Sequence, residues 1–281
     1  MPTNQAAWFH ANGGAFTVGE APMPQLAGDE ILIRSHAIAF NPADVAVWKS
    51  GLFTTSLPAT VGCDVAGVIA AVGHSASKFQ VGDRVLAVPN WSAEDRVNKG
   101  SGQLYCAAFE GLTAKLPEAV GFTDGCVLPL ALCTAASSLF QKENLGLPLP
   151  GLDVNASKSE AKVLLVWGGS SSVGSCAIQM ARAAGLIVAT TCGARNFEYC
   201  SSQVPTGLPE EVQISFCWST HIKDDEVGPP LFEWITKALA KGVLRCKPGS
   251  EVVGRGLEAV QQAVERMEKG VSATKLVVEI P

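Results

Sequence analysis

Residues 162–190 read KVLLVWGGSSSVGSCAIQMARAAGLIVAT, and this stretch decides the fold class. It opens with a short, nearly continuous apolar run, which predicts a strand buried on both faces. A turn rich in glycine and serine follows, and apolar side chains then recur at helical spacing as far as Gly185. A second apolar run begins at Leu186. This is the pattern of a βαβ unit, so we predict an α/β chain with a parallel sheet in its second half.

The first 150 residues have a different pattern, in which short β-rich runs alternate with turns that contain glycine or proline. The clearest runs are Glu30–Arg34, Val65–Val72 and Arg84–Val88. We therefore expect a β-rich lobe of barrel type. Residues 123–140 predict an inward-packing helix with Thr123 as its N-cap.

The remaining elements complete two predicted domains. Two amphipathic helices are expected at 231–242 and 256–269, with one apolar stripe of the second formed by Leu257, Val260, Val264 and Met267. Residues 275–280 predict a strand, and 144–159 predict a connector. We assign residues 1–150 plus 243–281 to the β-rich domain and 151–242 to the parallel-sheet domain.

Composition excludes several classes of partner and location. Acidic residues number 26 and basic residues 21, and the basic residues form no cluster, so a nucleic-acid partner is not expected. Apolar runs stop short of the ~20 residues that span a bilayer, and the first residues lack a signal-peptide pattern. Nine cysteines without a Cys-x2-Cys pair predict reduced thiols. We expect a cytoplasmic protein that is not bound to a membrane.

The turn between the first strand and the helix is the strongest candidate binding motif. Its glycines would let backbone N–H groups approach a pyrophosphate at the positive end of the helix. Ser171 occupies the place of the usual central glycine, so a dinucleotide site and a plain tight turn both remain open. The candidate cofactor-binding residues here are Gly168, Gly169, Ser170, Ser171, Ser172, Val173 and Gly174.

The end of the second strand indicates which nucleotide would bind. An NAD-binding unit places Asp or Glu there for the ribose 2′-hydroxyl, whereas this chain offers Arg195. A guanidinium suits a 2′-phosphate, which favours NADP(H) over NAD(H). The alternative is a solvated arginine near a helix start.

Four motifs in order resemble the medium-chain dehydrogenase/reductase superfamily: NPAD at 41–44, GCDVAG at 62–67, VGDRV at 81–85 and WGGSSSVG at 167–174. Residues 271–278 are similar to the family's closing segment. Within the family the chain looks like the zinc-free quinone-reductase and enoyl-reductase branch, and most like fungal trans-acting enoyl reductases of polyketide biosynthesis. The resemblance implies a GroES-like lobe followed by a Rossmann-type domain.

The resemblance also implies a chemistry. The family reaction would be hydride transfer from NADPH to the β-carbon of an enoyl thioester, with protonation at the α-carbon. Zinc-dependent relatives have cysteine where Asn41 stands and histidine where Cys63 stands, so no zinc is expected.

Five residues are carried over as candidate catalytic groups: Asn41, Asp44, Lys49, Cys63 and Thr134. Asp44 and Asp64 are each as compatible with a hydrogen-bonding scaffold as with an active-site group. Some relatives have a lysine at the position of Ala46, and Lys49 lies three positions later. Thr134 matches a position near the nicotinamide, although a polar residue satisfied within a helix is an equal reading.

The resemblance breaks after residue 200. The family continues through further strands and helices, whereas this chain passes directly to Val212–Trp218, which resembles a late strand. We therefore predict a truncated nucleotide domain, in which NADPH binding is either kept or lost. Two functions stay open: NADPH-dependent reduction of a small-molecule or carrier-bound polyketide-like substrate, and non-redox catalysis of a cyclisation, isomerisation or pericyclic step. A pure binding module is a third. The sheet edge exposed by the truncation predicts a homo-oligomer formed through residues 212–218.

Overall fold

The computed structural model describes residues 3–52, 54, 56–92, 98–152, 163–201, 222 and 225–281. The chain divides into two compact units. Unit 1 comprises 1–129, 250–271 and 275–281, and unit 2 comprises 130–249 and 272–274. The sequence predicts a boundary after residue 150, which would place the helix at 129–140 in the β-rich domain, whereas the contacts place nearly all of this helix in unit 2. The predicted boundaries stay a prediction.

Unit 1 is built on strands. Its elements are β1 (Asn4–Phe9), β2 (Phe16–Ala21), β3 (Glu30–Ala39), α1 (Pro42–Ser50), β4 (Asp64–Val72), β5 (Arg84–Pro89), β6 (Tyr105–Lys115), α2 (Phe122–Gly125), β9 (Gly249–Arg255), α7 (Val260–Glu268) and β10 (Thr274–Glu279). The main sheet has the order β4-β5-β6-β3-β10-β9, and β3 also pairs with β4. Pairing therefore closes around β3, β4, β5 and β6, which confirms the barrel-type lobe.

The core of unit 1 lies inside this barrel and against α7. Ile31 and Ile33 of β3 and Ile69 of β4 are buried in one apolar cluster. Val260 and Val264 of α7 join the same cluster, so the predicted helix stripe is confirmed.

Unit 2 contains α3 (Pro129–Phe140), β7 (Val163–Val166), α4 (Ser172–Ala183), β8 (Ile187–Thr190), α5 (Phe197–Ser201) and α6 (Gly228–Ala240). Strands β7 and β8 are parallel, with Val163 opposite Ile187. Together with α4 they confirm the βαβ unit, and Gly185 follows α4 with a φ of 84°. Such a backbone favours glycine.

Two local predictions are wrong. The first strand is not buried on both faces, since Leu165 is 36% exposed and Trp167 is 83% exposed. Within the described residues β7 pairs with β8 alone, so fewer elements cover it than in a full sheet. Thr123 is not an N-cap: α2 starts after Gly121, and α3 starts at Pro129, where a missing N–H does least harm.

The helical stretch Phe122–Phe140 is long and apolar enough to cross a membrane by length and composition. Of this window, 67% is buried inside the protein, so it is a core helix. The eight cysteines among the described residues are free thiols. The predicted strand at 212–218 and most of the second half of the predicted connector lie outside the described residues.

Candidate functional site

Helix α1 begins at the first candidate motif. Asn41 is its N-cap with an extended backbone, and Pro42 takes the first helical position, where proline is favoured. The Asp44 carboxylate reaches back to the helix start and accepts the Asn41 backbone N–H at 2.7 Å. Its other oxygen accepts the Gly62 N–H at 2.9 Å. Asp44 thus ties α1 to the segment that precedes β4.

A buried polar network grows from this helix start. The Asn41 side-chain amide donates to Asp64 Oδ2 at 2.8 Å and to Asp44 Oδ2 at 3.3 Å. Lys275 Nζ lies 2.9 Å from Asp64 Oδ2 and donates to the Asn41 side-chain oxygen. Asp64 is fully buried and Lys275 is 2% exposed. This is a buried ion pair, and hydrogen bonds to Asn41 connect both of its partners.

Burial changes the protonation of the two remaining members of the network. It raises the pKa of Asp44 from 3.8 to about 6, against the opposing effect of the backbone N–H groups. Burial, and next the Asp44 and Asp64 carboxylates, raises the pKa of Cys63 well above its usual value. The Cys63 thiol is hydrogen-bonded to Asp44. The network therefore holds Cys63 as a neutral thiol.

These residues do not fit a zinc ion. The Lys275 ammonium already lies against Asp64, and the Asp44 carboxylate oxygens already accept the Asn41 and Gly62 N–H groups, so these carboxylates are taken. In the part of the chain that the structure describes, no group of three or more His, Cys, Asp or Glu side chains could hold a metal. Zinc independence stays a prediction.

Lys49 and Thr134 have contacts of their own. Lys49 is about half exposed, pairs with Glu268 of α7 and lies 5.6 Å from the Trp48 ring. Thr134 belongs to unit 2, where its hydroxyl donates to the Leu130 carbonyl one turn earlier, at 2.9 Å. The hydroxyl therefore has a hydrogen-bond acceptor within its own helix, which is one of the two alternatives that the sequence leaves open for Thr134.

Lys275 is the member that our sequence interpretation misses as a site residue. The signal is a single lysine at the head of the apolar run 276–278. A charged residue there is expected to be buried only with a partner.

The glycine-rich turn of unit 2 has the shape of a close-approach site. Gly168 has a φ of 77°, and no other atom lies within 4 Å of the place that a Cβ would take there. A Cβ on Gly169 would lie 2.2 Å from Thr190 Oγ1, and one on Gly174 would lie 2.4 Å from the Gly168 carbonyl oxygen. The turn therefore requires glycine at 169 and 174, whereas the space beside Gly168 is open.

The start of α4 offers backbone donors beside this turn. Ser171 is the N-cap, and its hydroxyl accepts the Gly174 N–H at 3.0 Å. Within the described residues, the N–H groups of Ser172 and Val173 meet no acceptor. Such free donors at the positive end of a helix are the usual binding groups for a phosphate.

Arg195 lies on the segment after the second strand, to which the sequence assigned recognition of the ribose. It is exposed, in a short 3-10 helix that begins four residues beyond the end of β8. The neighbouring Asn196 amide donates to Ser170 Oγ at 3.2 Å and to Ser272 Oγ at 2.8 Å, which fastens this segment to the turn. Unit 2 thus offers α4 N–H groups of the kind that bind a phosphate and an exposed arginine on the segment after β8.

Comparison with known proteins agrees with the predicted fold. The alcohol dehydrogenase GroES-like domain family matches residues 27–141. The "Dehydrogenase orf1" of Aspergillus niger is 32% identical, and the alignment covers 100% of each chain. The "Trans-enoyl reductase himH" of Aspergillus japonicus is 31% identical over 99% of this chain and 97% of its own length.

The alignment with the Aspergillus niger dehydrogenase is longer than this chain. It extends over 349 positions against the 281 residues of this chain, so 68 positions have no counterpart here. A solved structure, the CurK enoyl reductase, superposes with a TM-score of 0.76 over 100% of both chains at 17% identity. At that identity the likeness shows the fold alone, an α/β fold with a GroES-like domain and a Rossmann-type parallel sheet.

Proposed function

This chain belongs to the medium-chain dehydrogenase/reductase superfamily, and from that premise we propose that it is an NADPH-dependent reductase of an enoyl-type, α,β-unsaturated polyketide-like substrate. Relatives named dehydrogenase and trans-enoyl reductase support an enoyl-reductase-like oxidoreductase. The observation that carries the finer proposal is the glycine-rich turn, with its free N–H groups at α4 and the exposed Arg195 beyond it.

In this proposal unit 2 binds the nucleotide. The N–H groups of Ser172 and Val173 take the pyrophosphate, and Arg195 pairs with the 2′-phosphate. When bound, NADPH supplies the hydride for the β-carbon of the substrate. The Ser171 cap and the hydrogen bond from Asn196 to Ser170 hold the turn in this shape without a ligand. Such preorganisation lowers the entropy cost of positioning.

In this proposal unit 1 contributes a buried hydrogen-bonded network and holds no metal. Asn41, Asp44 and Cys63 hold each other in a buried arrangement, so we propose that they position the substrate-binding lobe without contacting the substrate themselves. Lys49 and Thr134 remain candidates on the strength of the resemblance.

A second function is favoured by one specific observation, the 68 alignment positions that this chain lacks. Placed after residue 200, as the sequence predicts, their loss removes much of the domain that holds a nucleotide in relatives. Ala46 also stands where some relatives carry a lysine. A chain that kept the substrate lobe and lost the cofactor would catalyse a cyclisation, isomerisation or pericyclic step.

We further propose a cytoplasmic enzyme that takes a small or carrier-bound polyketide-like substrate, without zinc and without a nucleic-acid or membrane partner. A homo-oligomer through residues 212–218 would cover the shortened sheet. Light scattering at micromolar concentration tests it, and a monomer would count against the oligomer.

Calorimetric titration with NADPH, and with NADH as control, tests the main proposal. We expect micromolar NADPH binding, weaker NADH binding, and loss of that preference in Arg195→Ala because a guanidinium–phosphate pair is removed. The matched control is Arg255→Ala, which removes an arginine of unit 1 whose side chain is 79% exposed. An absence of binding at millimolar NADPH would refute the reductase and favour the non-redox function.

A further inference from the structure

A second buried lysine of unit 1 lacks the partners that Lys275 has. Lys99 is only 8% exposed, and within the described residues its ammonium makes no ion pair and no hydrogen bond. Lys275, by contrast, lies against Asp64 and donates to Asn41. A buried ammonium without a partner is costly, so its presence calls for a ligand that compensates the charge.

Two neutral donors lie around Gly100, the residue that follows Lys99. The Trp91 indole N–H is buried and meets no acceptor in the part of the chain that the structure describes. A Cβ on Gly100 would lie 3.1 Å from Trp91 Cζ2, the ring carbon next to the one that carries this nitrogen. The buried Thr60 hydroxyl accepts the Gly100 N–H at 3.0 Å, so its own proton remains available to donate. Indole and ammonium groups can only donate, so this place is rich in donors.

The backbone on both sides of Lys99 is held by hydrogen bonds. Gln103 Nε2 donates to the Asn98 carbonyl at 2.8 Å and to the Gly100 carbonyl at 2.6 Å. The Asn98 amide donates in return to Gln103 Oε1 at 2.7 Å. The lysine therefore stands on a fixed backbone and not on a loose loop.

The same segment is joined to the buried network of unit 1. The Ser101 N–H donates to the Gly62 carbonyl at 2.8 Å, and the Gly62 N–H donates to the Asp44 carboxylate at 2.9 Å. The donors around Gly100 thus adjoin the residues that the resemblance assigns to the reaction.

We propose that Lys99 and Trp91 bind the carboxylate of a small-molecule ligand, with the ammonium and the indole N–H as its donors. A carboxylate only accepts hydrogen bonds, and its single negative charge balances the single ammonium. The substrate class is therefore an unsaturated acid with a free carboxylate. That this acid is the substrate rests on the proposed function, whereas the binding of the carboxylate does not.

Calorimetric titration of the full chain without nucleotide tests the site. The probes are crotonate, a short unsaturated acid, and crotonamide, which has the same shape without the charge. We expect crotonate to bind at least about tenfold more tightly than crotonamide. Lys99→Met and Trp91→Phe should each weaken crotonate binding by about tenfold or more, as expected for the loss of a hydrogen bond to a charged group.

Two matched variants serve as controls. Lys115→Met removes a lysine of unit 1 whose side chain is 47% exposed and pairs with Asp83. Trp8→Phe removes an indole N–H that already donates to the Glu20 carbonyl at 3.1 Å. Both variants should bind crotonate as the parent does.

Thermal unfolding without ligand gives a second readout. Lys99→Met should raise the melting midpoint, because it replaces an unpaired buried charge by an apolar side chain. A lysine that serves the fold alone would instead lower the midpoint when it is replaced. If Lys99→Met does not fold, the inference is wrong on this readout.

The inference is also wrong if crotonamide binds as tightly as crotonate, if neither binds at tens of millimolar, or if Lys99→Met keeps the affinity of the parent. Inorganic phosphate that displaces crotonate at equal concentration would show a general anion site and contradict the carboxylate. If crotonate binds and NADPH does not, the carboxylate site stands and the proposed function fails. If NADPH binds and crotonate does not, the proposed function stands and the carboxylate site fails.

Discussion

Replacing Lys275 by methionine should destabilise unit 1 severely. The substitution keeps the apolar stem and removes the ammonium that lies 2.9 Å from Asp64 Oδ2. Asp64 is fully buried, so its charge would remain in the interior without the ammonium, while the Asn41 amide still donates to it. Removing one partner of such a pair costs about 3–5 kcal/mol. For a unit of this size that is a fall in the melting midpoint of roughly 6 to 20 °C.

A second lysine in the same unit supplies the control. Lys49 pairs with Glu268, but both side chains are 40% or more exposed, so Lys49→Met should cost about 1 kcal/mol or less. Scanning calorimetry and urea unfolding of the two variants compare a buried and an exposed ion pair.

A double variant isolates the charge from the packing. Adding Asp64→Asn to Lys275→Met removes the carboxylate that has lost its ammonium, so part of the lost free energy of unfolding should return. The reasoning fails if Lys275→Met unfolds no more easily than Lys49→Met, or if the double variant is less stable than Lys275→Met.

Three further predictions concern single residues. Burial raises the pKa of Asp44 to about 6. Between about pH 4 and 6 the folded chain therefore keeps a proton on this carboxyl that the unfolded chain has released. As the pH rises through that window, the free energy of unfolding should fall by up to about 3 kcal/mol. Asp44→Asn should lose that component, and parallel pH profiles of unfolding in variant and parent would contradict it. Gly174→Ala should lower the free energy of unfolding by about 1–3 kcal/mol through its clash with the turn, whereas Gly193→Ala, with open space around it, should lower it not at all. Chemical unfolding of the two glycine variants measures this, and equal values would show that the turn tolerates a side chain. Ser171→Ala should cost about 1 kcal/mol by removing the α4 cap, with Ser172→Ala near neutral, and equal melting midpoints for these two variants would refute the capping role.

The βαβ unit could be predicted because its signals are local. A strand, a turn and a helix each have a pattern that spans a few residues, and Gly185 marks the helix end. The apolar stripe of α7 has the same local origin. Strand β6 has no such signal, because Tyr105–Lys115 is rich in alanine and interrupted by glycine, both poor strand formers.

The buried network could not be predicted, since its members are far apart in the chain. Asn41 and Lys275 are separated by 234 positions. Strand β10 pairs antiparallel with β3, with Val277 opposite Ala39, and extending that register by two residues places Lys275 opposite Asn41. Sequence patterns do not give the register of two distant strands, so a lysine that completes the site looks like an ordinary strand residue.

That strand pairing also sets an order for folding during synthesis. Unit 1 needs a strand that is translated after all of 130–249, and unit 2 is nearly continuous in the chain. At about 5–20 residues per second, roughly 7 to 30 seconds separate the appearance of residue 129 from that of Lys275. During this time the Asp64 carboxylate lacks the Lys275 ammonium, and strand β3 lacks its β10 neighbour. Unit 2 can therefore pack first, and the N-terminal strands of unit 1 pair with β10 only after the whole segment between them has been synthesised.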